Sequence, residues 1–281
     1  MNENVLHGIS GATSSLVAMA LLHPLEALRT RMQSTHSKVD LISFLTELHR
    51  KDGLLSLYSG FLSSLIGTTT SYGIYFLCYR AAQRSLIKGK HLLTTLDDIL
   101  VSLFSSVISV LISTPLWTIN TRLMKGQSGG IISLFKKILR EEGPQGLFKG
   151  MSGSLMLCLN PIIQYAGYEY AKKKLLRNKN ASALVFFIFA GISKLLATFV
   201  TYPMLTLRTR AQLEVKKNLS IAEVFADLLK NEGIFALYKG LSSKAVQTVL
   251  NSAIMLSTHE KLTRLLVKLL AAKIKVGVRS T

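Results

Sequence analysis

The chain has 281 residues, of which 49% are hydrophobic and 17% charged, whereas a soluble domain usually carries roughly a quarter charged residues. Its 34 Lys and Arg outnumber 15 Asp and Glu, for a formal net charge of +19. Such a surplus in a soluble protein points to nucleic acid. No basic-aromatic reader module accompanies it here, so the charge is assigned to anionic lipid head groups and anionic solutes.

In chain order, the N-terminus runs almost at once into Gly8 to Leu25, a stretch without Asp, Glu, Lys or Arg; on this reading no room is left for a cleavable presequence. Gly53 to Tyr79, Ile99 to Thr121 and Gly150 to Tyr168 are equally uncharged. Asn180 to Leu207 is interrupted only by Lys194, and Ala245 to His259 is shorter but has apolar flanks. A bilayer span needs about 20 predominantly apolar residues in a helix, and its backbone groups must be paired internally. Six such stretches predict an all-α integral membrane protein with six transmembrane helices. Cys78 and Cys158 both fall inside predicted spans and read as small buried residues. The C-terminal Arg-Ser-Thr is not a Ser-Lys-Leu peroxisomal address.

Internal repetition organises these spans. Asp52-Gly53…Tyr58-Ser59-Gly60, Glu142-Gly143…Phe148-Lys149-Gly150 and Glu232-Gly233…Tyr238-Lys239-Gly240 recur at intervals of 90 and 90 residues. A second marker precedes each: Pro24-Leu-Glu26-Ala-Leu-Arg29-Thr-Arg31, Pro115-Leu-Trp117-Thr-Ile-Asn120-Thr-Arg122 and Pro203-Met-Leu205-Thr-Leu-Arg208-Thr-Arg210, at intervals of 91 and 88. The chain therefore divides into tandem repeats at 1–92, 93–179 and 180–281. Each reads as a span, a short amphipathic helix and a second span. The short helices are expected near 40–52, 130–142 and 218–232, suited to the membrane surface. A proline inside an apolar helix removes a hydrogen bond and bends the axis. Three bent helices meeting at one end would close a funnel.

The pattern Pro-x-acid-x-x-base-x-Arg, the downstream aromatic-base-Gly marker and the three repeats resemble the mitochondrial carrier family over essentially the whole chain. The resemblance implies a three-fold pseudo-symmetric bundle, short amphipathic helices on the matrix side and both termini on the cytosolic side. It also implies alternating access between two gates. Within the family, Ser113-Thr-Pro-Leu-Trp117-Thr-Ile-Asn120-Thr-Arg122-Leu, Asn160-Pro-Ile-Ile-Gln164-Tyr, Lys194 with Thr201-Tyr202-Pro203, Glu260-Lys261-Leu262-Thr263 and the Lys88-Gly89-Lys90-His91 linker resemble the peroxisomal adenine nucleotide and coenzyme A carriers.

In that family the acid of one proline motif pairs with the base of the next repeat. By position the pairs here are Glu26 with Asn120, Trp117 with Arg208, and Leu205 with Arg29. None is an ion pair; the first admits a hydrogen bond and the second a cation–π contact. Gln33 and Gln212 occupy the bracing positions, where Met124 cannot serve. On the cytosolic side Tyr168-Glu169-x-x-Lys172 is intact, while the second span offers Arg80 and Gln83 and the sixth Glu260 and Thr263. Gates this thin imply that the empty carrier reorients, giving net uptake as well as exchange.

For the substrate, an ionisable residue inside a span is a functional hypothesis by default. Lys194 precedes Pro203 by nine residues, where the other repeats place Ser15 and Ser106. An asymmetric substrate breaks pseudo-symmetry in this way, and Lys194 is read as a point charge for phosphate. The family's substrate-contact level, carried across by position, falls on Gly67 and Thr68, Met156 and Leu157, and Gln247 and Thr248. One turn further lie Ser71, Asn160 and Asn251. Met156 and Leu157 suggest an apolar wall for a purine ring, with Asn160, Gln164, Gln247 and Asn251 reading its edge or bridging helices. Arg29, Arg122 and Arg208 would draw polyphosphates inward.

No Gly-x-x-x-x-Gly-Lys-Ser/Thr loop or His-Glu-x-x-His run occurs, so neither an enzyme nor a bound cofactor or metal is expected. The expected partners are a small anionic substrate and membrane lipids, with no nucleic acid, and the protein is expected to be a monomer. Lys172-Lys-Lys-Leu-Leu-Arg177-Asn-Lys179 is a further candidate signal for the peroxisomal membrane-protein import receptor. The leading reading is a carrier of adenine-containing phosphorylated cofactors in the peroxisomal membrane. Two others stay open: a mitochondrial inner-membrane nucleotide or folate carrier, and a non-transporting scaffold.

Overall fold

The computed structural model describes residues 3–35, 41–87, 94–127, 129–176, 183–214, 220–255, 257–258 and 261–262. Its α-helices are α1 (Glu3–Ser34), α2 (Leu41–Asp52), α3 (Phe61–Ile87), α4 (Thr95–Met124), α5 (Ile131–Glu141), α6 (Met151–Leu157), α7 (Asn160–Leu176), α8 (Ala183–Leu213), α9 (Ile221–Glu232) and α10 over 241–255. Short 3-10 turns, Leu54–Tyr58, Pro144–Phe148 and Ile234–Tyr238, follow α2, α5 and α9. Among the described residues there is no strand. The surface helices thus fall where the repeat predicts them. The long helices α1, α4 and α8 run without interruption through Pro24, Pro115 and Pro203.

The fourth span departs from expectation. It is not one helix: α6 ends at Leu157, Cys158 and Leu159 form a turn, and α7 begins at Asn160. Pro161 is the cause, because it has no N–H to give to the carbonyl of Leu157, four residues back. Around it the chain tightens to three-residue bonds, from Cys158 N–H to Leu155 O (3.1 Å) and from Leu159 N–H to Met156 O (3.2 Å).

The chain forms two compact units, one of Met1–Glu26 with Ser242–Thr281 and the other Ala27–Leu241. In the first, the Ser243 hydroxyl at the start of α10 donates to the Leu25 carbonyl of α1 (2.9 Å). In the second, α3 packs along α4, and α6 and α7 pack against α8.

In α4 and α8 the usual polarity of a globular helix is inverted. On α4, Leu96, Leu100, Phe104, Val107 and Leu111 are exposed, while Ser105, Ser109, Ser113 and Thr114 are buried. On α8, Ile188, Ile192, Leu196, Phe199 and Val200 are exposed, while Ser193, Thr198 and Thr201 are buried. Contiguous apolar surface of this kind is costly in water and normal in lipid, where small polar residues sit between helices. Leu96–Met124 (mean hydropathy 2.1) and Ile188–Leu213 (1.5) are long and apolar enough to cross a bilayer by themselves. The other predicted spans are read as such through the repeat; the fourth, for one, is divided between α6 and α7, with 7 and 17 residues.

Three equivalent clusters seat each surface helix on a proline-bearing helix. Leu48 and Leu57 pack on Ala27, Leu28 and Met32; Leu134, Ile138 and Leu147 pack on Ile119 and Leu123; and Val224, Leu228, Ala236 and Leu237 pack on Leu207 and Ala211. The marker glycines Gly60, Gly150 and Gly240 have φ of +79°, +74° and +79°. A Cβ at Gly150 would sit 2.7 Å from the Arg208 carbonyl, and one at Gly240 would sit 2.9 Å from Arg29 Cγ. The repeat therefore needs glycine twice over there, for backbone conformation and for close approach.

Candidate substrate cavity and gates

A cavity of about 620 Å3 opens within the larger unit. Its walls come from α3 (Thr68, Ser71, Tyr72, Tyr75), from α4 between Ser102 and Trp117, from the α6–α7 turn (Leu157, Cys158, Pro161, Ile162), and from Arg208 on α8. Of the residues expected at the substrate level, Thr68, Ser71 and Leu157 border it. Met156 is exposed and is not part of this lining. Gln164 borders a separate recess of about 350 Å3 with Pro161, Tyr165, Tyr168 and Ala190.

Lys194 and Asn160 meet. Asn160 Nδ2 donates to Thr201 Oγ1 (2.7 Å), which turns its carbonyl oxygen toward the Lys194 ammonium (3.3 Å). Lys194 and Thr201 are two turns apart on α8, so one face of that helix grips the residue that opens α7. Thr198 donates to the Lys194 carbonyl (2.8 Å). The ammonium is half-buried and meets a neutral amide, with no carboxylate partner among the described residues. Gln247, Thr248 and Asn251 lie on α10 in the other unit. There Lys244 Nζ donates to Gln247 Oε1 (3.0 Å), Thr248 donates to the Lys244 carbonyl (2.8 Å), and Asn251 is exposed.

At the gate positions, the Arg208 guanidinium lies 5.6 Å over the ring of Trp117, within cation–π range. Trp117 Nε1 donates to Ser71 Oγ (3.0 Å). The indole lies against α3 at Gly67, where a Cβ would make ordinary van der Waals contact with it at 3.7 Å. Asn120 is buried and accepts from Ser64 (2.9 Å). Arg29 is buried beside Gly240, and Glu26 is half-buried on α1 in the other unit. Gln33 reaches from α1 to Tyr202 (3.3 Å) and Thr206 (3.2 Å) on α8, and Gln212 accepts from Thr121 on α4 (2.8 Å). Thr30 donates to Met124 Sδ (3.6 Å), so even the methionine links neighbouring helices. Arg80 is exposed, bonded at 3.5 Å to Gln83 on its own helix, and Glu169 is half-buried on α7. Lys172 is within α7, but its side chain lies outside the described residues, as does Glu260.

Sequence reasoning quoted the two repeat markers separately and missed that they join. Arg31, Arg122 and Arg210 pair with Asp52, Glu142 and Glu232. In repeat two, Lys149 also binds Glu142 (2.6 Å) and donates to the Glu214 carbonyl at the end of α8 (2.7 Å), while Arg122 Nε donates to Gln212 O (2.9 Å). In repeat three, Lys239 binds Glu232 and donates to Thr35 O at the end of α1 (2.7 Å). Repeat one has Ser59 where the others have lysine, and Arg31 meets Asp52 at 3.3 Å while donating to Met124 O (2.9 Å). Glu142 and Glu232 side chains are 4% and 6% exposed, against 56% for Asp52. Two seams are thus buried ion clusters and the third is half solvated. The signal available in the sequence was the near-constant spacing of 21, 20 and 22 residues between arginine and acid. Burial alone would raise the Glu142 carboxyl, but hydrogen bonds and charge from Arg122 and Lys149 outweigh it and hold it below the usual carboxylate range.

A helical membrane protein of three fused repeats, locked at one end by inter-repeat contacts and hollow between its spans, has the architecture of a secondary transporter rather than an enzyme. The family model for mitochondrial carrier proteins matches residues 2–90, 92–179 and 179–270, and the chain belongs to that family. It is 35% identical over 286 residues to the peroxisomal membrane protein PMP34 of Mus musculus, covering 93% of each chain. It is 28% identical to the peroxisomal adenine nucleotide carrier 1 of Glycine max, covering 93% of this chain and 91% of that one. It is also 26% identical to the peroxisomal nicotinamide adenine dinucleotide carrier of Arabidopsis thaliana, covering 94% and 96%.

Proposed function

We propose that this carrier moves adenine-containing phosphorylated cofactors (ATP, ADP, AMP, coenzyme A, FAD or NAD) across the peroxisomal membrane, by exchange and by net uptake. The observation that carries the reading is Lys194: a cation in mid-span, held by the neutral Asn160 amide, at a position where the other repeats have serine. A neutral partner positions the ammonium without cancelling its charge, which is what a phosphate site requires. Three relatives named as peroxisomal support the compartment, and two of them, the adenine nucleotide and nicotinamide adenine dinucleotide carriers, the adenine-bearing substrate class. Net uptake is supported by the gates, where Trp117–Arg208 is a cation–π contact and Leu205 is apolar. The carrier acts as a monomer on this reading.

Binding to the folded state alone raises apparent stability, by about 2.7 kcal/mol at a ligand concentration 100 times Kd. Thermal unfolding of the purified protein with each cofactor therefore tests the proposal. Shifts with adenine-bearing phosphates that vanish in Lys194→Met support it; no shift with any of them would leave a scaffold as the better reading. The basic run from Lys172 to Lys179 lies at the end of α7 and beyond the described residues. We assign it to import-receptor recognition. Changing its five basic residues to Ser should misdirect a fluorescent fusion, and unchanged peroxisomal targeting would overturn that role.

A further inference from the structure

The α3–α4 wall of the 620 Å3 cavity is unlike the rest. Tyr72 and Tyr75 border it, and Tyr75 stacks on Tyr79 with ring centroids 5.9 Å apart and planes 22° apart. That stack fixes the plane of the Tyr75 ring. Beside the tyrosines, Ser102, Ser106, Ser109 and Ser113 lie along one face of α4.

The hydroxyl hydrogens of this wall are largely committed. Ser106 donates to Ser102 O, Ser109 to Ser71 O and Ser71 to Gly67 O, each at 2.7 Å. The Tyr75 hydroxyl donates to Ser102 Oγ (3.4 Å). A ligand acceptor would have to displace a main-chain carbonyl to win one of those hydrogens, whereas a ligand donor meets oxygen lone pairs that are already available. Ser113, 2% exposed, borders the cavity on the same face.

We propose that Tyr72, Tyr75, Ser106 and Ser113 form the subsite for the substrate's base, a planar heteroaromatic ring bearing an exocyclic amine. The ring stacks on tyrosine, and its amine donates to serine oxygen. This moves the ring-binding wall from Met156 and Leu157 to α3 and α4, and it rests on the phosphate reading of Lys194 for the other end of the ligand. The cavity volume is within the range of about 300–1,000 Å3 typical of small-molecule sites.

The test compares AMP, IMP (a keto oxygen in place of the amine) and inorganic pyrophosphate, bound to purified full-length protein followed by thermal shift and titration. The wild type should bind AMP about tenfold tighter than IMP, since an amine facing acceptors is replaced by an oxygen facing acceptors. Tyr75→Ala should weaken AMP about tenfold and leave pyrophosphate unchanged. Ser106→Ala, which leaves the aromatic stack intact, should cut the AMP-to-IMP preference. Equal binding of AMP and IMP, or equal loss of AMP and pyrophosphate in Tyr75→Ala, would overturn the subsite. Lys194→Met weakening all three ligands while the tyrosine variant weakens none would sink this inference and leave the phosphate reading standing. Binding of none of the three would overturn both.

Discussion

Glu142→Gln and Asp52→Asn are equivalent by repeat position and should differ sharply in effect. Glu142 is buried against Arg122 and Lys149, whose side chains are 2% and 6% exposed. Its neutralisation strands two buried cations at the seam between repeats two and three. Removing one partner of a buried pair costs about 3–5 kcal/mol. Asp52 faces solvent, and Arg31 keeps hydrogen bonds to Ser56 Oγ (3.1 Å), Ser56 O (2.8 Å) and Met124 O (2.9 Å) without it. Loss of an exposed partner costs about 0–1 kcal/mol. At about 2–4 °C per kcal/mol for a chain of this size class, Glu142→Gln should melt at least 6 °C below the wild type, and Asp52→Asn within a few degrees of it. Trp117 is the one tryptophan of the chain and lies at the gate, so its fluorescence in detergent reports the transition. Equal, small shifts for the two variants would refute the claim that the three seams differ.

Acid should act through the same carboxylate. Its folded-state pKa is depressed, so its contribution is present above the unfolded value of about 4.3 and is lost as pH falls through the folded one. The melting temperature should therefore drop below about pH 4 in the wild type, and Glu142→Gln should flatten that limb. Gly150→Ala adds a Cβ 2.7 Å from the Arg208 carbonyl at positive φ, while Gly53→Ala at φ +72° meets nothing within 4 Å. The latter should cost about 1–3 kcal/mol for its backbone alone, because φ +72° with ψ 158° is an essentially glycine-only conformation. The former should cost more still, because the clash with the Arg208 carbonyl adds to its left-handed backbone, both measured by the same melts. Trp117→Phe keeps a ring under Arg208, whereas Trp117→Leu forfeits a contact worth about 0.5–2 kcal/mol. Uptake into vesicles without internal substrate should therefore rise more in the leucine variant; equal rates would count against Trp117 as a gate.

The repeat made most of the fold readable. Proline and glycine markers report backbone demands that three copies share, so Pro115 or Gly150 announces a helix or a close packing wherever it recurs. The break at Asn160 was harder to see, because Pro161 has no counterpart in the other repeats and an isolated proline in an apolar run reads equally as a bend. Lys194 was legible as a candidate because charge in a span is costly. Its hold by Asn160 and Thr201 was not, since it depends on α7 restarting at Asn160. The ion clusters were hidden for another reason: Arg122 and Glu142 are 20 residues apart in sequence, and only the return of α5 along α4 brings them together. The apolar stretches announced six spans, but among the described residues only α4 and α8 are unbroken helices long and apolar enough to cross a bilayer alone; the fourth is cut by the turn at Cys158 and Leu159.

Transport by the purified protein in liposomes tests the central claim most directly. Labelled AMP or coenzyme A should enter vesicles containing wild-type protein, faster with adenine nucleotide inside but measurably without it, and Lys194→Met should abolish both rates while retaining the wild-type melting temperature. Folded wild-type protein that moves no adenine-bearing anion under either condition would contradict the account.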